Sequence, residues 1–158
     1  MKFSKTIRFD KSDLNVFEIS SEEGEWAISG AFEYSNDTMI SLKGKRKQGF
    51  SNGFLGLESY GRSTLVSISK INQKEKEKLS YSLACYFVKQ YGAPSFDDAS
   101  FAANQEISFM IELCEKHEIG TLLAVNRTLE DDGIHEKFRS LPKQDACSNQ
   151  TIWTTVED

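Results

Sequence analysis

Cys114-Glu115-Lys116-His117 is the one place in the chain where a cysteine and a histidine stand at metal-ligand spacing. A structural zinc site needs four such ligands, and no second C-x-x-C or H-x-x-x-H supplies the rest. His135 and Cys147 could complete a set only by folding in from a distance. The simpler reading is that His117 ends a helix, where a positive charge suits the dipole. Leu57-Glu58-Ser59-Tyr60-Gly61 resembles a nucleophile elbow, but the position two before Ser59 is Leu57 instead of glycine. An elbow also turns a strand into a helix, whereas the spacing here reads as helix into strand. Ser59 is therefore expected to be a cap or turn residue. Glu130-Asp131-Asp132 could gather a divalent cation, yet EF-hand spacing is absent and consecutive loop carboxylates are usually solvated. Arg8 and Arg62 each fall in or beside an expected strand. Their convergence would make an anion site, against the plainer reading of two surface arginines.

The elements that would position such groups centre on Ile40–Ile71, which holds five of the ten glycines and the densest basic run. Gly49, Gly53 and Gly56 recur at helical spacing, and Phe50, Phe54 and Leu57 repeat that spacing one position on. The pattern predicts a helix over 41–58 with a glycine stripe beside an apolar one. Each helical glycine costs about 1 kcal/mol against alanine, so three of them need a reason. One reason is close backbone packing. The other is that 49–56 is an anion-cradling loop. The phenylalanine period favours packing, and neither G-x-G-x-x-G nor G-x-x-x-x-G-K-[ST] is present.

Upstream, Phe3–Phe9 alternates as a strand, Val16–Ile19 reads as a short one, and Trp26–Tyr34 as a third, together an antiparallel meander. Gly30 inside the last suggests a bulge or a close approach. Ser63–Ile71 is a half-buried strand. Asn72, with Glu75 three residues on, opens a long helix that Gly92 and Pro94 close. Ser95 caps a second long helix, 96–117. A strand over Leu122–Leu129, a short helix over Gly133–Phe138 and a last strand over Ile152–Val156 complete the order βββ-α-β-α-α-β-α-β. Strands first and helices clustered later make an α+β pattern: one domain over 1–158, with an antiparallel sheet of about five to six strands and three main helices.

At 158 residues the chain is long enough for a real core. A net charge of −5 argues against broad nucleic-acid binding. The charge is uneven, +3 over 1–94 and −8 over 95–158. This is either two solvated faces or a basic patch at Lys43, Lys45, Arg46 and Lys47 that docks an acidic partner. Three widely spaced cysteines imply no disulfide framework, and Cys85 and Cys114 read as buried thiols on helix faces. Met1–Asp10 is charged throughout, unlike a signal peptide. No apolar run approaches the ~18 residues of a membrane span. The expected location is the cytoplasm.

The segments KTIRFD (5–10), VFE (16–18), GEWAISGAFEYS (24–35), GFSNGFLGLESYGRST (49–64), KQYGAPS (89–95) and IELCEKHEIGTLLAVNRTLED (111–131) together resemble an uncharacterised family of small bacterial proteins. The resemblance covers most of the chain apart from its last residues and brings no activity, cofactor or catalytic residue with it. It implies an accessory or assembly role near oxidoreductases.

Two functions are therefore expected. The first is a non-catalytic accessory or protein-binding module, partnered by another protein or a second copy of itself, with no metal or cofactor. The alternative is a small-molecule-binding protein or minor enzyme. Its pocket would lie between the 41–58 helix and the sheet, lined by Trp26, Phe50, Phe54, Tyr60 and Arg62.

Overall fold

The computed structural model describes residues 1–8, 13–141 and 156–157. One antiparallel sheet carries the chain. Its strands are β1 (Lys2–Ile7), β2 (Trp26–Ile28), β3 (Phe54–Gly56), β4 (Arg62–Ser63), β5 (Leu65–Lys70), β6 (Leu122–Glu130), β7 (Gly133–Leu141) and β8 (Val156–Glu157). They lie in the order β4-β3-β2-β1-β5-β6-β7-β8. The helices are α1 (Asp13–Val16), α2 (Gly44–Asn52), α3 (Gln73–Tyr91) and α4 (Phe96–Glu115). The α+β class and the three main helices are as expected. Among the described residues there are eight strands, more than the five to six anticipated.

The sheet is not flat. Neighbouring strands lie ~4.8 Å apart, so β2 and β7, four places apart, would be about 19 Å apart in a flat sheet. Yet Ser29, immediately after β2, donates its hydroxyl to Glu136 of β7, and Phe54 of β3 meets the ring of Phe138 at 6.2 Å. The sheet must curl until those strands face each other. The α3–α4 pair fills the hollow: Leu83, Ala84, Ala103, Ile107 and Met110 pack against Phe3, Val66, Ile68, Leu123 and Val125, every one at most 1% exposed. Each large side chain buried there contributes about 1.5–3 kcal/mol.

Both long helices start where the sequence predicts, and the first also stops there. Asn72 Oδ1 accepts from the Glu75 amide at 2.8 Å and Glu75 returns the bond to the Asn72 amide, closing a capping box. Gly92 ends α3 at φ +62°, and Ser95 Oγ accepts from the Asp98 amide at 3.1 Å. The second long helix stops at Glu115, short of His117.

Four shorter readings need correction. The expected helix over 41–58 is α2, ending at Asn52. Gly53 is extended (φ −99°, ψ 128°) and leads straight into β3. Phe54 and Leu55 are adjacent and both fully buried, a pattern that suits a strand covered on both faces better than one stripe of a helix. The strand expected over Trp26–Tyr34 stops at Ile28, because Gly30 at φ +76° turns the chain into a single 3-10 turn, Ala31–Tyr34. The expected strand Val16–Ile19 is the end of α1 followed by a bend, with only Ser20 bridging to Arg62. The helix expected over Gly133–Phe138 is the first half of β7, paired from Glu130↔Gly133 to Leu122↔Leu141. Its Ile134, Glu136 and Phe138 alternate, and nine cross-strand pairs outweigh local helix preference. The strand expected over Ile152–Val156 lies outside the described residues except for Val156, in β8.

One finer break carries the site. The strand expected over Ser63–Ile71 is divided at Thr64, where the chain changes partner from β3 to β1. Ser63 marks the kink, donating its hydroxyl near both Ile7 O (3.0 Å) and Leu65 O (2.8 Å).

Candidate functional site

Two arginines from different strands meet at the C-terminal end of α2. Arg127, on β6, is 2% exposed. Its Nη1 reaches the carbonyls of Phe50 (2.8 Å) and Gly53 (2.9 Å), and its Nη2 reaches both the carbonyl and the hydroxyl of Ser29. Its Nε donates to Glu136 at 2.8 Å. Arg62, on β4 and 6% exposed, donates to Gly53 O (3.1 Å), Gly30 O (2.9 Å) and Glu33 Oε1 (2.8 Å). The last carbonyls of a helix lack intrahelical partners and carry partial negative charge, so guanidinium groups suit them. Burial pulls the Arg127 pKa down while Glu136 opposes that shift. This two-arginine clasp ties α2 to β4 and β6, which lie on either side of β1 in the curled sheet.

A buried carboxylate builds the neighbouring turn. Glu25 is 2% exposed. It accepts from the amides of Glu22 (2.6 Å), Glu58 (2.9 Å) and Ser59 (2.8 Å) and from the Ser59 hydroxyl (2.6 Å). Burial raises its pKa, but these donors outweigh burial and hold it below the usual value. Ser59 is thus a turn residue, as expected, although the turn joins strand to strand. The clamped turn holds Tyr60 at φ +56°, the only non-glycine residue at positive φ among those described. Such a conformation costs of order 1–3 kcal/mol and persists where its surroundings enforce it.

Tyr60 is held against Tyr86 of α3, rings parallel within 4° and 3.8 Å apart. The hydroxyls of Tyr86 and Tyr91 both donate to Glu33 Oε2 at 2.7 Å, while Arg62 occupies Oε1. Burial and the Glu33 carboxylate raise the pKa of both tyrosines, so they remain neutral donors. Tyr34 lies beside them, with the guanidinium of Arg62 4.7 Å and that of Arg46 5.1 Å from its ring centre. Arg46 is fixed in turn by a two-point contact with Asp37.

Between these groups opens a cleft of about 230 Å³. Tyr34, Tyr60 and Tyr86 form its aromatic wall, Phe17 and Ile19 its apolar lip, and Lys45, Arg46, Arg62, Glu18 and Glu33 its charges. The Tyr34 hydroxyl lies against Gly49, whose missing Cβ would sit 2.5 Å from that oxygen. Tyr34 is 5% exposed, and its hydroxyl, which makes no hydrogen bond within the described residues, is not among the atoms sealed from solvent. Burial raises its pKa against the pull of Arg62 and Arg127, which keeps it a donor.

The five residues expected to line one pocket do not converge. Tyr60 and Arg62 line the cleft. Phe54 is fully buried; Trp26 packs on Phe3 with Lys5 Nζ 4.4 Å from its ring; Phe50 packs with Tyr34 and Leu42 in a satellite core. The reason is the early end of α2, which moves Phe54 off the helix and into the sheet. Of the basic run, Lys43, Lys45 and Lys47 are exposed and Arg46 half-buried. Lys45 and Arg46 reach the cleft, while Lys47 borders a separate hollow with Met39 and Phe50.

Arg8 donates to Ser21 O at 2.6 Å, and Arg62 is engaged by carbonyls and Glu33, so the two form no anion site. Cys114 is fully buried, its thiol pKa pushed up to about 12 by burial. Cys85 is half-buried, and Cys147 lies outside the described residues. No group of three His, Cys, Asp or Glu among the described residues could hold a metal ion. Asp131 and Asp132 form the β6–β7 turn, where Asp132 meets His135 at 2.7 Å.

Arg127, Glu25, Glu33 and Tyr34 were missed from the sequence. Arg127 did leave a signal, since it continues the buried alternation of Leu123 and Val125. Glu25 left none, because its four donors come from residues 22, 58 and 59.

The fold and site define a single-sheet α+β protein with a tyrosine-lined cleft pinned by two buried arginines. Among the described residues no helix is long and apolar enough to cross a membrane. The chain belongs to a family of unknown function (DUF6505), which matches residues 1–158. No curated protein and no solved structure matches it.

Proposed function

We propose that this chain is a non-catalytic binding protein that holds a small ligand in the cleft beside α2. The Tyr34 hydroxyl carries the reading. It lines the cleft, makes no hydrogen bond within the described residues and is not sealed from solvent, so its O–H is open to a bound molecule. The other polar groups of this region are committed to structure. Glu25 holds a turn, Arg127 and Arg62 hold carbonyls, and Glu33 holds two tyrosines and an arginine. That distribution favours binding over covalent chemistry. The strained Tyr60 is in keeping with it, since backbone strain collects at ligand sites.

Native mass spectrometry of the protein purified gently from its own cells tests the reading. An excess mass of the size of a metabolite, lost on Gly49→Leu substitution, is expected. A bare polypeptide that also ignores a broad fragment library would sink it.

A second reading, docking of an acidic protein partner on the basic run, draws on one observation. The first turn of α2 carries Lys45, Arg46 and Lys47 with no acid, the wrong sign for a helix N-terminus. Charge reversal at Lys43 and Lys47, which leaves Lys45 at the cleft intact, should then abolish co-purification of a partner.

A further inference from the structure

We infer that the ligand of the cleft is a small planar organic carboxylate, an inference that rests on the binding reading above. The argument is an inventory of donors and acceptors at the cleft wall. Tyr34 offers a solvent-reachable O–H with no partner among the described residues, and Lys45 an exposed ammonium with no carboxylate partner among them. The less exposed of the two carboxylates is already occupied. Glu33 takes Arg62 on one oxygen and two tyrosine hydroxyls on the other, and Glu18 at the rim faces Arg46 at 3.6 Å. A wall with spare donors beside an occupied carboxylate favours a ligand that brings acceptors of its own.

The charges agree. Lys45, Arg46 and Arg62 line the cleft against Glu18 and Glu33, and Arg127 stands behind Tyr34. Two guanidinium groups over the Tyr34 ring withdraw electron density and strengthen its hydroxyl as a donor to an anion. Charge-assisted hydrogen bonds are about twice as strong as neutral ones, so ionisation of the ligand matters to its affinity.

Shape sets the remainder of the molecule. The flat Tyr60–Tyr86 pair offers ring-sized apolar surface. At about 230 Å³ the space is smaller than the roughly 300–1,000 Å³ of drug-sized sites. It suits one ring with its acid group, the carboxylate directed at Tyr34 and Lys45 and the ring against the tyrosines.

Titration of the full-length, isotopically labelled chain with benzoate, benzyl alcohol, benzylamine and inorganic phosphate, followed by amide NMR, tests this. Benzoate is expected to shift the Tyr34, Gly49 and Tyr60 amides and to bind about tenfold more tightly than benzyl alcohol. Tyr34→Phe should remove about tenfold of the benzoate affinity with the melting temperature preserved, and Lys45→Ala should lower it severalfold in a salt-dependent way. Benzyl alcohol or benzylamine binding as well as benzoate would overturn the carboxylate and leave the cleft as a binding site. Phosphate binding as well as benzoate would overturn the planar part. If none of the four moves these amides, the ligand class falls. If a fragment library also leaves them unmoved, the binding reading falls with it.

Discussion

The arginine clasp and the tyrosine cleft share Arg62 and stand back to back across Gly49, yet they treat hydrogen bonding in opposite ways. In the clasp, Arg127 spends its donors on the carbonyls of Ser29, Gly49, Phe50 and Gly53 and on Glu136. In the cleft, the Tyr34 hydroxyl reaches solvent and Lys45 is exposed, so both keep donors open to a ligand. Both regions are polar, and both are unusual for a domain interior. The difference shows that a buried charge is not by itself a sign of function: what marks a ligand site is an unmet bond, whereas a fully met one marks architecture.

The largest effect should follow from breaking the clasp. Arg127→Met would uncap α2, leave Glu136 without its cationic partner and free the curl of the sheet. Removing one partner of a buried ion pair costs about 3–5 kcal/mol, and urea denaturation should show a loss of that size. A loss below about 1 kcal/mol would mean that the clasp is not what holds the sheet closed.

Glu25 is the next largest. Replacement by glutamine presents an N–H₂ to amides that are themselves donors, at a cost of about 3 kcal/mol near neutral pH. The pH dependence has a definite sign. The folded-state pKa is depressed, so this stabilisation is fully present above the unfolded value of ~4.3 and is lost as pH falls through the lower folded value. Denaturation at a series of acidic pH values should show a shallower acid loss in Glu25→Gln than in the parent. Equal slopes would remove Glu25 from the account.

These two residues also show what the sequence could and could not reveal. Long helices with local signals, such as Asn72 with Glu75 and Ser95 before Phe96, were legible because their caps and stripes lie within a few residues. Over 41–58 the local pattern misleads, because Gly49, Phe50, Gly53 and Phe54 keep a helical period that Arg127, 74 residues beyond Gly53, interrupts by taking the carbonyls at the helix end. The Gly133–Phe138 strand was hidden in the same way by its pairing with β6. Of the site, Tyr60, Arg62, Lys45 and Arg46 were singled out locally. Tyr34 and Glu33 were not, because their importance comes from where Gly30 turns the chain, and nothing beside them in the sequence announces it.

Gly49 lies between the two regions and allows the comparison to be sharpened. A Cβ there would stand 2.5 Å from the Tyr34 hydroxyl and 3.7 Å from Arg62 Cγ. Overpacking of this kind costs about 1–3 kcal/mol. Gly49→Ala should therefore destabilise, although alanine is otherwise the better helix residue. Combined with Tyr34→Phe, which deletes the obstructing oxygen, most of the loss should return. A double-mutant cycle by thermal denaturation reads the coupling. Additive losses would mean that the hydroxyl moves aside freely and is not held at the cleft wall.

The smallest expected change in stability concerns Lys45, in the first turn of α2, and it separates the two regions most cleanly. Its positive charge opposes the helix dipole, so Lys45→Glu should leave stability unchanged or raise it by a few tenths of a kcal/mol. The same substitution places a carboxylate at the mouth of a cleft argued to admit one. Benzoate affinity should then fall by far more than tenfold while the melting temperature holds or rises. A residue that weakens its own helix and strengthens a ligand contact belongs to the cleft. If Lys45→Glu instead lowers the melting temperature and spares binding, its charge serves the fold, and the distinction between met and unmet bonds fails at the residue chosen to test it.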